Sequence, residues 1–175
     1  MNAPIDRQAV SHIVVDRQPI ARPLRLRLYP DPVLRQACEP VEEFDSTLAD
    51  VLDEMLALMR MHQGTGLAGP QVGILRQLFV AQIGDDVVRL LNPEITGVRG
   101  WLTMREGCLS LPGFEAMLGR SRVIRVMGYD PRGRKQALRV EGIWARVMQH
   151  EINHLSGVLI CDHAVEDQRT RGSER

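Results

Sequence analysis

Cysteine is scarce in this sequence, and the three present, Cys38, Cys108 and Cys161, form an odd set with no framework spacing. This excludes the disulfide staples of a small secreted domain and fits a reducing compartment. Long apolar runs are missing as well. No stretch approaches the roughly 18 consecutive apolar residues of a membrane span, and the N-terminal region has no continuous apolar segment of the secretory kind. Charge of one sign is also lacking, because 22 basic residues are interspersed with 22 acidic ones. Arginine supplies nearly all the positive charge, yet the linear order shows no single-sign stripe to grip a phosphate backbone. Neither nucleic acid nor a membrane is an expected partner. The expected location is the cytoplasm, and the expected substrate is small or peptide-like.

What is present is an ordinary globular composition: 175 residues, 44% hydrophobic and 25% charged. That length suits a single domain with one core. Residues up to Pro23 show no sustained period. Arg7, Arg17, Arg22, Arg25 and Arg27 give the N-terminal region a basic look, but Asp6 and Asp16 interrupt it and serines are few, unlike a transit peptide. The expected organisation is a flexible segment over 1–23, a single catalytic domain over 24–162 and a short charged tail over 163–175.

Periodicity fills in the domain. Leu24 to Tyr29 alternate leucine and arginine as a strand would, and Phe44-Asp45-Ser46 offers a helix start. Leu48, Val51, Leu52, Met55, Leu56 and Met59 then recur at helical spacing, with glycines from Gly64 to Gly73 ending the run. Leu78 to Asn92 and Arg122 to Val140 contain short aliphatic and β-branched runs broken by turn residues, which predicts antiparallel hairpins. Glu106 to Gly113 reads as an irregular loop or strand edge, and Ile143 to Leu155 as a helix without internal glycine or proline. The glycine-rich segment lacks a phosphate-loop lysine and the dinucleotide spacing, so nucleotide binding is not expected.

The chemistry concentrates in Gln149-His150-Glu151-Ile152-Asn153-His154. Two histidines four residues apart project from one helix face and can share a metal, with Glu151 beside them. The plainer reading is two hydrogen-bonded core histidines, with Glu151 paired to an arginine such as Arg146. Two histidines leave a catalytic metal short of a third protein ligand. Downstream, Cys161, Asp162, His163, Glu166 and Asp167 are the comparable candidates.

Gly64–Gly73, Glu106–Gly113 and Gln149–Gly157 together resemble the three motifs of the peptide deformylases, in that family's order, and Leu28–Arg35 resembles its N-terminal passage. The resemblance implies an α+β fold whose antiparallel β-strands enclose a central helix carrying the HExxH motif. It also implies that Cys108, His150 and His154 hold one divalent metal, Fe(2+) in the cell, with Zn(2+), Ni(2+) or Co(2+) as alternatives. A water at the remaining position would attack the formyl carbon. Glu151 would then be the general acid and base, while Gln71 and the Leu109 backbone N–H would hold the substrate oxygen. Gly66, Ile143 and Val147 would line the pocket for the substrate side chain. The implied substrate is the N-formylmethionyl end of a new polypeptide.

Asn153, Gly69 and Ala116 stand where the family usually has aspartate, alanine and glycine. Two rival readings are an HExxH peptidase and a catalytically weak or non-catalytic deformylase-like protein that binds metal or peptide. Cys108 in its matched segment weighs against the first, and Glu151, which metal binding does not require, weighs against the second.

Overall fold

The computed structural model describes residues 12–15, 18–21 and 23–163. Two short strands, β1 (His12–Val15) and β2 (Gln18–Ala21), pair antiparallel, and Ile20 reaches the core. A paired hairpin therefore lies within the segment that showed no period. The other residues of 1–23, and those after 163, lie outside the described set.

Helix α1 (Ser46–Met61) begins where Phe44-Asp45-Ser46 predicted, with the Asp45 carboxylate accepting from the Leu48 N–H at 3.0 Å. It buries Leu48, Val51, Leu52, Met55, Leu56 and Met59, the predicted stripe, together with Leu58. A five-stranded antiparallel meander follows: β3 (Gly66–Ala68), β4 (Leu78–Ile83), β5 (Asp86–Gly107), β6 (Glu115–Tyr129) and β7 (Lys135–Glu141). Helix α2 (Ile143–Leu155) follows β7. The fold is α+β.

The apolar run Leu78-Phe79-Val80-Ala81 is continuous because both faces of β4 are covered. Leu78 and Val80 join the α1 cluster, while Phe79 and Ala81 join Ala145, Val147, Met148 and Leu155 of α2. A strand covered on one side only would have alternated.

Two expectations are corrected. Leu24 to Tyr29 forms no strand, because its amides go to three separate places: Leu24 to Glu54 Oε1 at 2.6 Å, Arg27 to the Gln71 carbonyl and Tyr29 to the Ser110 carbonyl, both at 2.8 Å. The predicted hairpins are present but too short. β5 runs past its partnership with β4, shifts register between Leu91 and Glu94 and between Ile95 and Gly97, and continues paired with β6 to Gly107. Glycines, arginines and these bulges hide the alternation from a sequence reading. The extension matters for function, because it delivers Cys108 to α2.

The end of α2 is set by Gly157. Its φ of 71° is left-handed, and a Cβ there would lie 2.5 Å from the Arg35 carbonyl oxygen. Gly157→Ala is expected to cost about 1–3 kcal/mol of unfolding free energy in a urea titration. An unchanged midpoint would contradict this account of the helix end.

Candidate active site

α2 carries His150, Glu151 and His154, and the turn after β5 carries Cys108. The Nε2 atoms of His150 and His154 are 3.2 Å apart, and Cys108 Sγ lies 3.3 Å from His154 Nε2. All three ligand atoms fall within 4.8 Å of one another. The downstream candidates are elsewhere: Asp162 and Cys161 face Arg35, at 2.9 and 3.6 Å, and His163 lies 3.5 Å from Asn153. Glu166 and Asp167 are outside the described residues.

One carboxylate organises the surroundings. Buried Glu106, at the end of β5, accepts from Arg120 Nε at 2.7 Å and Nη2 at 2.9 Å, accepts from Arg146 Nη1, and lies 3.3 Å from His150 Nδ1. Burial alone would raise its pKa, but the His150 and Arg120 contacts outweigh that and hold it at about 2. Arg146 also donates to the Leu102 and Leu118 carbonyls at 2.6 and 2.9 Å, clamping both strands of the β5–β6 ribbon. Arg146 therefore pairs with Glu106, not with Glu151. Asn153 Oδ1 accepts from Arg120 Nη1 at 2.8 Å, so it keeps a hydrogen bond to the arginine while adding no charge.

The site favours positive charge at His150. Burial lowers the pKa of that imidazole, yet the Cys108 and Glu106 contacts prevail and raise it to about 10. Buried His154 is pushed well below the ordinary histidine value by burial and by the His150 charge. A thiol and two imidazoles whose ligand atoms converge within 4.8 Å fit a borderline divalent metal.

Glu151 is fully enclosed, and burial raises its carboxyl to about 7. Its Oε2 has no hydrogen-bond partner among the described residues, and its Oε1 lies against Gly66, where a Cβ would come within 2.1 Å. Gln71 is anchored at both ends of its amide: Oε1 accepts from the Ala68 N–H at 2.8 Å, and Nε2 donates to Ser110 Oγ at 3.1 Å and faces Cys108 Sγ at 3.6 Å. A cavity of about 340 Å³ opens beside these groups. Gly66, Gln71, Leu109, Ile143, Val147 and Glu151, all named from the sequence, line it.

The profile of the polypeptide deformylase family matches residues 23–170. The chain belongs to that family. Curated peptide deformylases from Thermodesulfovibrio yellowstonii and Hydrogenovibrio crunogenus are 40% and 41% identical to it, covering 79% and 87% of this chain and 87% and 92% of their own. The crystal structure of peptide deformylase from Thermotoga maritima matches with a TM-score of 0.78 at 41% identity, over 80% of this chain and 96% of that one. The Thermus thermophilus peptide deformylase structure matches at 0.79 and 42%, over 83% and 88%. Membership makes the chain a hydrolase of the deformylase class.

Glu106, Arg120, Arg146 and Ser110 also stand in this site, a place that the sequence alone does not single out for them. The available signal was Arg146 inside the otherwise apolar run Ile143-Trp144-Ala145-Arg146-Val147-Met148, since a buried guanidinium requires a buried counter-charge. Glu106→Gln retains every proposed ligand but removes the charge that orients His150. Metal affinity is expected to fall by about 10–100-fold in chelator competition. Unchanged affinity would show that Glu106 serves only the ribbon.

Proposed function

We propose that this chain removes the N-formyl group from the formylmethionyl end of newly made polypeptides. The observation carrying the reading is the convergence of Cys108, His150 and His154 within 4.8 Å, beside an enclosed Glu151 and an open cavity. In this reading α2 is the central HExxH helix of the domain, and the three convergent residues hold one divalent ion. The ion supplies Lewis acidity, which lowers the pKa of water and polarises a carbonyl.

The chain's own groups do the rest. The formyl carbon gains a water oxygen, its bond to nitrogen breaks, and formate and a free amine leave. Glu151 accepts the water proton and delivers it to the departing nitrogen. A carboxyl held near neutrality by burial suits both halves of that transfer. Gln71 Nε2, fixed by Ser110 and Ala68, and the Leu109 N–H donate to the substrate oxygen as negative charge develops on it. Gly66, Ile143 and Val147 bound the space for the methionine side chain.

Glu151→Gln keeps the shape and removes the base. Metal content should be retained while kcat for formate release from a formyl-methionyl peptide falls by roughly 100-fold or more. Turnover near the parental rate would sink the role given to Glu151. Cys108→Ala should lose metal, whereas Cys38→Ala and Cys161→Ala should keep it.

A thiolate neutralises one unit of cationic charge, so the identity of the ion governs activity. We propose iron(II) in a reducing cytoplasm. Metal analysis of protein purified anaerobically should find iron, with activity decaying in air and lasting longer with nickel or cobalt. Equal activity and air stability for iron and zinc forms would contradict that choice.

A further inference from the structure

The outer face of the β5–β6–β7 sheet, away from α2, carries a group of arginines for which the deformylase chemistry has no use. Gly97, Arg125 and Arg139 lie in one row across the three strands, and Arg99 follows two residues along β5, opposite Val123. Arg125 and Arg139 are direct cross-strand partners. Like charges placed opposite one another destabilise a sheet. Their guanidiniums and that of Arg99 have no hydrogen-bond or ion-pair partner among the described residues. Together they border a recess of about 280 Å³ floored by Gly97. At about 4.8 Å between strands, the three strands that carry these arginines span roughly 10 Å. Glu94 sits at one end of the same face, opposite Met127, while Glu141 shares the row of Arg99, opposite Val123 and two residues from Arg139.

An aromatic platform continues this face. Trp101 lies two residues beyond Arg99, opposite Ser121, and is 69% exposed. A Cβ at the diagonal Gly119 would meet three adjacent indole atoms at 2.3–2.4 Å, so the indole packs directly over the glycine. The rest of the ring is open to solvent.

We infer that this face binds single-stranded RNA, its phosphates on Arg99, Arg125 and Arg139 and a base stacked on Trp101. Guanidiniums without a partner among the described residues, beside an open indole, are the combination that backbone charge and a base's π-face recognise together. The sequence shows no basic stripe because the arginines come from three strands and meet only across the sheet. The inference does not depend on the deformylase reading.

The test is fluorescence anisotropy of a fluorescein-labelled 12-nucleotide oligouridine with the full chain at 50 and 200 mM salt. The parent should bind, more weakly at the higher salt. The triple variant Arg99→Ser/Arg125→Ser/Arg139→Ser should lose at least about 10-fold in affinity and show a shallower salt slope. Trp101→Ala should lose about 10-fold while its salt slope stays parental. Formate release from a short formyl-methionyl peptide should be unchanged in both. If the triple variant fails to fold, Arg99→Ser alone should still weaken binding and flatten the slope. The inference is overturned if the parent does not bind oligouridine at 50 mM salt, or if the variants bind as the parent does. It is equally overturned if inorganic phosphate or phosphatidylglycerol vesicles bind this face and oligouridine does not.

Discussion

A single buried carboxylate, Glu106, sits where the sheet, the helix and the chemistry meet. Removing a charge from water costs several kcal/mol unless partners replace the hydration. Here Arg120 and Arg146 supply those partners, and the His150 ring completes them. Each partner ties in another element. Arg146 is anchored in α2 and holds the Leu102 and Leu118 carbonyls, so the two-stranded ribbon is fastened to the helix at the level of Cys108, His150 and His154. Arg120 reaches from β6 to Asn153 on α2. Cys108 follows Glu106 by two residues, and its approach to His154 depends on the same clamp.

Space is as constrained as charge. A Cβ on Gly66 would occupy the position of Glu151 Oε1, and one on Gly69 would come 2.5 Å from the Ile74 carbonyl oxygen. Gly66 lets β3 approach α2 closely, and Gly69 lets the turn after β3 fold against the Ile74 and Arg76 backbone, where Gln71 stands against Ser110 and Cys108. That close approach also encloses Glu151, and enclosure is what raises its carboxyl toward neutrality. Packing thus sets the proton affinity of this carboxyl.

The helices were legible because each buries one stripe, and 3.6-residue periodicity is a local signal. α1 begins at the predicted cap and α2 spans the predicted Ile143–Leu155. The family motifs pointed to residues that the fold brings around one cavity. Pairing across strands is not local, and here the reading failed: leucine–arginine alternation at Leu24–Tyr29 suggested a strand where the amides find separate partners. The long extension of β5 went unseen because bulges break its period. The Glu106–Arg146 pair was hidden for the same reason. Nothing near residue 106 says what residue 146 will meet.

The central claim is that one divalent ion, held by Cys108, His150 and His154, enables this chain to release formate. The direct measurement is a titration of metal-stripped protein with iron(II) under anaerobic conditions, following formate release from a formyl-methionyl peptide. Release should be negligible without metal and should rise to saturate at one ion per chain. Full release from the stripped protein, or none at any loading with iron, nickel or cobalt, would contradict it.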